Sequence, residues 1–262
     1  MPTTCSIKFP RLSESEMGTL DYGVMKHVFD THNELGCLCD ESVYQRRLAS
    51  RLENAGFRVN CEVPVTLEFR DFSKVLYLDL VVNRRSIYEL KTVSKLTEAH
   101  TAQMTTYLFL TNAARGKLVN FRPTSVESIF VNSLLDDLER RRLEVVSNDW
   151  EGTEAMMDLI TDLVRDWGTG LDASLYTQAI THCLGGEGNV IRQLPMQIDA
   201  VSLGNQRFYL ADAASAFRIT TFQKPNQQSL TEFRRMIAPS PLKAFHWINI
   251  ARHELRFSTV TL

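Results

Sequence analysis

The chain reads YLDLVVNRRSIYELK at residues 77–91. Two apolar runs flank a short turn at Asn83, which is the pattern of two antiparallel strands. Alternate side chains of a strand share a face, so Glu89 and Lys91 project together, and a hairpin would bring Asp79 alongside them. Burying these charges among apolar residues is costly unless they bind something. A divalent metal held by the two carboxylates, with the lysine beside a bound phosphate, would account for all three.

The composition of the 262-residue chain is that of an ordinary globular protein, with 44% hydrophobic and 23% charged residues. Its net charge of -2 argues against a broad basic surface, so nucleic-acid binding would have to be local or bridged by metal. The five cysteines show no second pair at zinc-site spacing, which favours reduced thiols. Without a signal-peptide pattern or an apolar run of about 20 residues, we expect a cytoplasmic protein with no membrane partner.

The first half of the sequence predicts helices and strands in mixed order. A stripe of apolar residues indicates a helix that stops at Gly36, and Asp40 is a good N-cap for a second helix. A third helix is expected from Thr97 to about Leu110. We expect strands at residues 57–63, 65–69, 75–82, 87–92 and 117–121. This order predicts a mixed α/β domain over residues 1–122.

The second half of the sequence echoes the first. The helical stripe that ends at Gly168 matches the one that ends at Gly36, at an offset of 132 residues. Further along, residues 247–250 match residues 118–121 at an offset of 129. We interpret this pattern as an internal duplication. Chance similarity between two helix–loop–helix segments is the alternative.

The acidic residues of the first half have no counterparts in the second. An apolar stretch near Phe208 stands opposite Asp79. The other charged positions are also replaced, Glu41 by Ala173, Glu89 by Arg218 and Lys91 by Thr220. Residues 156–262 are therefore expected to be a degenerate repeat that lacks the acidic site. The charge-rich residues 123–155 are expected to form a helical linker between the two copies.

Three residues of the 77–91 stretch resemble the core signature of the PD-(D/E)XK nuclease superfamily, namely Asp79, Glu89 and Lys91. Leu78 stands where that signature usually has a proline. The resemblance covers residues 20–122 and implies a restriction-endonuclease-like fold, in which a mixed sheet is flanked by helices. Together with the repeat, it predicts an α/β protein duplicated as an active-like half and a degenerate half.

The segment from Gly36 to Tyr44 is similar to the motif of the bacterial GxxExxY group. Glu41 and Tyr44 occupy their motif positions, and Leu38 stands where the nearer glycine is expected. Members of this group sometimes carry a C-terminal extension, which the second half resembles.

The resemblance implies a role for each charged residue. Asp79 and Glu89 would bind Mg²⁺ or Mn²⁺, and Glu41 would complete the metal site or orient the attacking water. Lys91 would position that water or stabilise the charge that develops on the phosphate. The expected catalytic residues are therefore Glu41, Asp79, Glu89 and Lys91, the three acids being the metal ligands. Their structural alternatives are a helix-start acid for Glu41, a hairpin residue for Asp79, and an exposed edge-strand pair for Glu89 and Lys91.

Three further residues are candidates for substrate binding. Gln103 and Tyr107 lie one turn apart on the third predicted helix and resemble an accessory motif of the recombination-exonuclease branch. Arg84 in the hairpin turn would contact a phosphate. The alternatives are a core tyrosine at Tyr107 and a solvated arginine at Arg84.

These expectations define a magnesium-dependent nuclease that acts on DNA, with RNA as the other substrate class. A second hypothesis is a non-catalytic nucleic-acid-binding or assembly protein on a nuclease fold. A third is a structural adaptor between proteins. The two halves are also predicted to pack as an intramolecular pseudo-dimer.

Overall fold

The computed structural model of the chain describes residues 3–133, 135–224 and 227–262. Contacts divide these residues into two units. The first unit holds the described residues up to Glu68 and those of Ser73–Asp137, and the second holds Phe69–Phe72 and the described residues of Leu138–Leu262. Within the described part of the chain, no helix combines the length and the apolar character needed to cross a membrane.

The first unit begins with a short strand and two helices, and a third helix lies between its later strands. Its elements are β1 (Thr3–Cys5), α1 (Glu14–Leu35), α2 (Glu41–Asn54), β2 (Val59–Phe69), β3 (Phe72–Val82), β4 (Ser86–Lys91), α3 (Glu98–Thr111), β5 (Arg115–Asn120) and β6 (Glu127–Asn132).

Six strands form one mixed sheet in the order β1-β2-β3-β4-β5-β6. The pairs β1–β2, β3–β4 and β5–β6 are antiparallel, whereas β4 and β5 are parallel. A parallel pair needs a crossover connection, which α3 supplies. The predicted fold class is therefore confirmed as an α/β fold with a mixed sheet flanked by helices.

One face of this sheet packs against α1 and α2. Leu80, Tyr88 and Leu90 point into this core, where they meet apolar residues of both helices such as Val28 and Leu48. Side chains alternate along a strand, so the odd-numbered residues of β3 and β4 point to the opposite face. This alternation directs the acids of the 77–91 stretch away from the core that α1 and α2 cover.

A buried tyrosine fixes the loop between α1 and α2. The Tyr44 hydroxyl donates a hydrogen bond to the Gly36 carbonyl at 2.7 Å and accepts one from the Cys39 N–H at 3.2 Å. Gly36 has a φ of 69° and a ψ of -151°, a conformation that is open essentially to glycine alone. In the second unit, the Tyr176 hydroxyl donates to the Gly168 carbonyl at 2.6 Å. Each tyrosine thus ties the start of its own helix to the end of the preceding one.

The remaining elements follow β6. They are α4 (Asp137–Arg141), β7 (Glu144–Asp149), α5 (Glu154–Trp167), α6 (Ala173–Cys183), α7 (Glu187–Val190), β8 (Ile191–Ile198), β9 (Val201–Tyr209), β10 (Ser215–Thr220), α8 (Gln227–Ile237), β11 (Ala244–Ile250) and β12 (Glu254–Thr261). A four-stranded sheet has the order β10-β11-β12-β7, and β8 and β9 form a two-stranded sheet. As in the first unit, the strands on either side of a helix, here β10 and β11, are parallel.

The helical linker expected over residues 123–155 is wrong in its secondary structure. The stretch contains the strands β6 and β7, and its described helical residues are those of α4 and the first two of α5. Apolar, mostly β-branched residues such as Ile129, Val131 and Val145 favour strands, and both strands find partners in a sheet. The first sheet therefore extends beyond residue 122 to β6. The predicted domain boundaries stay a prediction.

Replacing either buried tyrosine by phenylalanine should destabilise the protein. Tyr44→Phe and Tyr176→Phe each leave a carbonyl and an N–H without their hydroxyl partner, which costs about 1–3 kcal/mol of unfolding free energy. Urea unfolding followed by circular dichroism measures the loss. Tyr22→Phe is the matched control, since Tyr22 is 85% exposed, and it should change stability by less than about 0.5 kcal/mol. An unchanged urea midpoint for a buried variant would contradict the role of its hydroxyl.

Candidate active site

The described pairing of the β3–β4 hairpin stops beside the two acids of the 77–91 stretch. Leu80 and Tyr88 form the last described pair of this ladder, so Asp79 and Glu89 lie just beyond it. Asp79 Oδ2 instead accepts a hydrogen bond from the backbone N–H of Leu90 at 2.8 Å. The carboxylate therefore stands in for a strand partner and holds the two strand ends together.

Glu89 and Lys91 form a largely buried ion pair on β4. Lys91 Nζ donates a hydrogen bond to Glu89 Oε1 at 2.7 Å, and the Glu89 side chain is only 1% exposed. The other carboxylate oxygen, Glu89 Oε2, is buried and has no hydrogen-bond partner among the described residues. A buried acceptor without a partner costs free energy. A ligand that bound Glu89 Oε2 would therefore remove this free-energy cost.

Glu41 reaches the same site from the first residue of α2. Burial raises the pKa of the Glu41 carboxyl, the attraction of the Lys91 ammonium works against this rise, and repulsion by Asp79 adds to it. A hydrogen bond from the Thr92 backbone also favours the charged form. The structure thus brings Glu41, Asp79, Glu89 and Lys91 into mutual electrostatic contact. We call these four residues the acidic cluster.

The acidic cluster carries more negative charge than its lysine balances. Burial is the main cause that raises the pKa of Asp79, although its hydrogen bond from Leu90 opposes the rise. Burial and repulsion by Asp79 raise the pKa of Glu89 to about 8, and the Lys91 ammonium offsets part of this shift. Burial disfavours the charged form of Lys91, but the neighbouring carboxylates outweigh it and raise the pKa of Lys91. The lysine therefore stays protonated, and the acids have an unmet need for positive charge.

The pair Gln103 and Tyr107 lies next to the acidic cluster. Gln103 Nε2 donates a hydrogen bond to the Tyr107 hydroxyl at 3.0 Å. Burial raises the pKa of Tyr107, and the negative charge of Glu89 raises it further. Tyr107 is 6% exposed, so it is a core residue that also faces the site. Tyr107 is therefore buried in the core, as one alternative expected, and its position beside the site is also compatible with the other alternative, substrate binding.

Two polar residues near Asp79 were not predicted from the sequence. Gln45 Nε2 donates hydrogen bonds to the Asp79 backbone carbonyl at 2.9 Å and to Glu62 Oε1 at 2.5 Å. Gln45 follows Glu41 by one helical turn, and this spacing could have placed it on the same face of α2. Glu62 lies in β2 with a φ of 50°, and no pattern in the sequence distinguishes it. The negative charge of Glu62 contributes to the raised pKa of Asp79.

Arg84 lies at the other end of the β3–β4 ladder, in the turn. Its guanidinium donates a hydrogen bond to the Ser6 carbonyl at 3.1 Å, and the neighbouring Arg85 pairs with Glu16 at 3.1 Å. Among the contacts described for this arginine, none is with the acidic cluster. A role for Arg84 in substrate binding stays a prediction.

The acidic cluster fits a hard divalent cation in its chemistry. Among the described residues, no group of three or more His, Cys, Asp or Glu side chains is already arranged to hold a metal ion. The cluster nevertheless supplies carboxylate oxygens, which Mg²⁺ and Mn²⁺ prefer. The buried Glu89 Oε2 lacks a partner, and the pKa of each carboxyl is raised. A bound cation would give Glu89 Oε2 a partner and would lower the pKa of each carboxyl.

Part of the chain matches a known protein family. Residues 19–132 match the family model of the PD-(D/E)XK nuclease superfamily. A solved structure titled "Crystal structure of SSO0001" is similar with 21% sequence identity and a TM-score of 0.30, over 47% of this chain and 61% of that chain. This chain thus spans less than two thirds of that chain. No curated protein matches the chain.

Removing the charge of Glu89 should stabilise the metal-free protein in a pH-dependent way. An unfolded glutamate loses its proton near pH 4.5, whereas Glu89 in the folded state keeps it until about pH 8. The folded state therefore binds the extra proton between these values, and the wild type loses stability as the pH rises through this window. In a chelator, Glu89→Gln should raise the melting temperature by a few degrees at pH 8, at about 2–4 °C per kcal/mol, and much less at pH 5.

Differential scanning fluorimetry at both pH values measures this difference. Asp158→Asn is a suitable control, because Asp158 is an exposed acid of α5. An equal gain for Glu89→Gln at pH 5 and pH 8 would show that packing, rather than the carboxylate charge, causes it.

Proposed function

We propose that the chain is a Mg²⁺-dependent nuclease that hydrolyses phosphodiester bonds of DNA, on the premise that residues 19–132, which match the family model, form a domain of the PD-(D/E)XK nuclease superfamily. RNA is the alternative substrate class. The observation that carries the proposal is the acidic cluster, in which three carboxylates surround one lysine and the buried Glu89 Oε2 has no described partner. A fold alone would not support an activity, so the proposal depends on this site.

Asp79, Glu89 and Glu41 would hold the metal ion in the proposed site. When bound, Mg²⁺ supplies a Lewis acid that neutralises phosphate charge and lowers the pKa of a water molecule. Glu89 offers its unpartnered Oε2, and Asp79 is anchored through Leu90, so its second oxygen can turn toward a ligand without loss of the strand contact. Gln45 supports this arrangement because it binds the Asp79 backbone carbonyl. The same residues would hold Mn²⁺ by the same chemistry.

Lys91 would act on the phosphate itself. Its raised pKa keeps the ammonium charged, and its side chain is 12% exposed, so it keeps some access to the site opening. A protonated amine there would orient the attacking water or stabilise the charge that develops on the phosphate oxygens. Gln103 and Tyr107, which lie beside Glu89, would contact the nucleic-acid backbone.

The assignment to the GxxExxY group is part of the same proposal. Tyr44 stands at the tyrosine position of that motif, and its hydroxyl donates to the carbonyl of Gly36, two residues before Leu38 at the glycine position. Glu41 follows this loop as the first residue of α2. This contact fixes the start of the helix that carries Glu41.

A non-catalytic nucleic-acid-binding protein on the same fold is the second candidate function. One observation favours it, since no group of three metal-binding side chains is preassembled among the described residues. Such a protein would bind nucleic acid without Asp79 and Glu89, whereas a nuclease needs both.

We also propose that the second unit is a degenerate copy of the first. Val81 pairs with Ile87 between the antiparallel strands β3 and β4. Leu210 pairs with Ala216 in the same antiparallel sense, and both partners are displaced by 129 residues. The equality of the two displacements supports an identical hairpin register in the two units.

The central strand pairs support the same offset. Ile87 of β4 pairs with Gly116 of the parallel strand β5, and Ala216 of β10 pairs with Phe245 of the parallel strand β11. These pairs again differ by 129 residues on both strands. The antiparallel pairs β5–β6 and β11–β12 obey the same offset. By this register, Arg218 stands at the place of Glu89 and Phe208 at the place of Asp79.

An asparagine contact also recurs at this offset. Asn120 Nδ2 donates to the Val93 carbonyl at 2.8 Å, and the Val93 N–H donates to Asn120 Oδ1 at 3.1 Å. Asn249 makes the same two hydrogen bonds with Phe222, both at 2.9 Å. A side chain that satisfies both backbone groups of one residue is a specific arrangement, and its repetition favours duplication over chance. The intramolecular pseudo-dimer stays a prediction.

Conservative substitutions of two acids test the proposed nuclease. Asp79→Asn keeps an oxygen that can accept the Leu90 hydrogen bond, and Glu89→Gln keeps the side-chain shape, so the double variant should fold. We expect it to lose Mg²⁺ binding and at least about 100-fold of the cleavage rate. Calorimetry measures the metal affinity, and labelled single- and double-stranded DNA and RNA report cleavage. Wild-type protein that binds no divalent metal and cleaves none of these substrates would exclude the nuclease.

Lys91→Met should separate metal binding from catalysis. The substitution removes the ammonium that would act on the phosphate but leaves the carboxylates in place. We expect cleavage to fall by about 10²–10³-fold while the divalent metal still binds. Lys95→Met, at an exposed lysine on the loop after β4, is the control and should cleave like the wild type. Full activity of Lys91→Met would rule out the role given to this lysine.

A further inference from the structure

The second unit contains an open cleft at the position that corresponds to the acidic cluster. Its volume is about 390 Å³, and its lining includes Phe208 and Arg218, which stand at the registers of Asp79 and Glu89. Ala173 and Thr177 also line it, and they stand where the first unit has Glu41 and Gln45. The cleft is thus the counterpart of the proposed active site.

The charge of this cleft is opposite to that of the acidic cluster. Two arginines line it, Arg207 and Arg218, and none of its lining residues is an aspartate or a glutamate. Arg218 is exposed and has no described ion-pair partner. Asp172, the acid next to Ala173, accepts a hydrogen bond from the Ser174 N–H as the N-cap of α6. The cleft therefore presents uncompensated positive charge, which suits an anion.

The other lining groups suit a nucleic-acid strand better than a free anion. The Arg207 guanidinium lies over the Tyr209 ring at 5.3 Å from its centroid, and this ring is half-buried. Gln178 and Gln206 add amide groups that can donate or accept hydrogen bonds. Arginine for the phosphate, an aromatic ring for a base and amides for base edges are the contacts by which proteins hold single strands.

From these observations we infer that the basic cleft, defined by Gln178, Gln206, Arg207, Tyr209 and Arg218, binds a single strand of nucleic acid without a metal ion. This inference rests on the proposed function, because it assigns the second unit to hold the same class of substrate that the first unit cleaves. Where the first unit would meet the phosphate through a cation, the second meets it through guanidinium groups. It has no carboxylate pair at the matching registers and so binds without cleaving.

Binding in a chelator tests the basic cleft independently of cleavage. The probe is a fluorescently labelled oligothymidylate, titrated by anisotropy with the Asp79→Asn/Glu89→Gln protein in the presence of a chelator. Adding Arg218→Ala should weaken binding roughly 10-fold, as expected for the loss of one charge-assisted contact. The slope of log affinity against log salt concentration should become shallower by about 0.7, since one phosphate contact of a single strand is lost.

Arg235→Ala is the matched control, because Arg235 is an exposed arginine of the same unit that pairs with Glu232 at 2.8 Å. It should leave both the affinity and the salt slope unchanged. Equal affinity with and without Arg218, or an equal loss in the Arg235 variant, would overturn the inference. Suppose that the Asp79→Asn/Glu89→Gln protein binds the probe in chelator through Arg218, whereas the wild type cleaves no substrate with Mg²⁺. That result would support binding by the basic cleft and exclude the nuclease, so the two failures are distinguishable.

Discussion

The hydrogen bond from the Leu90 N–H to the Asp79 carboxylate is the interaction on which the arrangement of the site depends. If regular antiparallel pairing had continued beyond Leu80, it would have paired Asp79 with Glu89 through their backbone groups. Instead, the Asp79 carboxylate accepts a hydrogen bond from the Leu90 N–H, and the Gln45 amide donates one to the Asp79 carbonyl. The strand ends are therefore held by side chains, and Glu41 at the start of α2 interacts electrostatically with the same region.

Much of the fold could be predicted from the sequence because its signals are local. Alternating and continuous apolar runs located β3 and β4, and the Gly36 and Asp40 signals located the boundary between α1 and α2 within a residue. The spacing of Glu89 and Lys91 placed both side chains on one face, and the structure joins them in an ion pair. These features depend on residues that are close in the sequence, where periodicity is informative.

Other features depend on contacts between distant segments and left no such signal. The charges around residues 136–142 suggested a helix, yet the neighbouring segments became strands because each found a partner in a sheet. Glu62 is linked to Asp79 through the side chain of Gln45, which donates hydrogen bonds to both residues. The burial of Glu89, which raises the pKa of its carboxyl, likewise follows from the packing of other elements around β4. Composition and spacing do not report burial.

Under the proposed duplication, the replacement of the acids in the second unit has a consequence for how the two units tolerate mutations. Buried carboxylates impose an electrostatic penalty on folding, and residues kept for function commonly lower stability in this way. Phe208 is 1% exposed at the register of Asp79 and contributes to an apolar core instead. Among its described residues, the second unit buries no aspartate or glutamate, so it does not carry this penalty. On this proposal, mutations would accumulate in the second unit under a looser stability constraint than in the first.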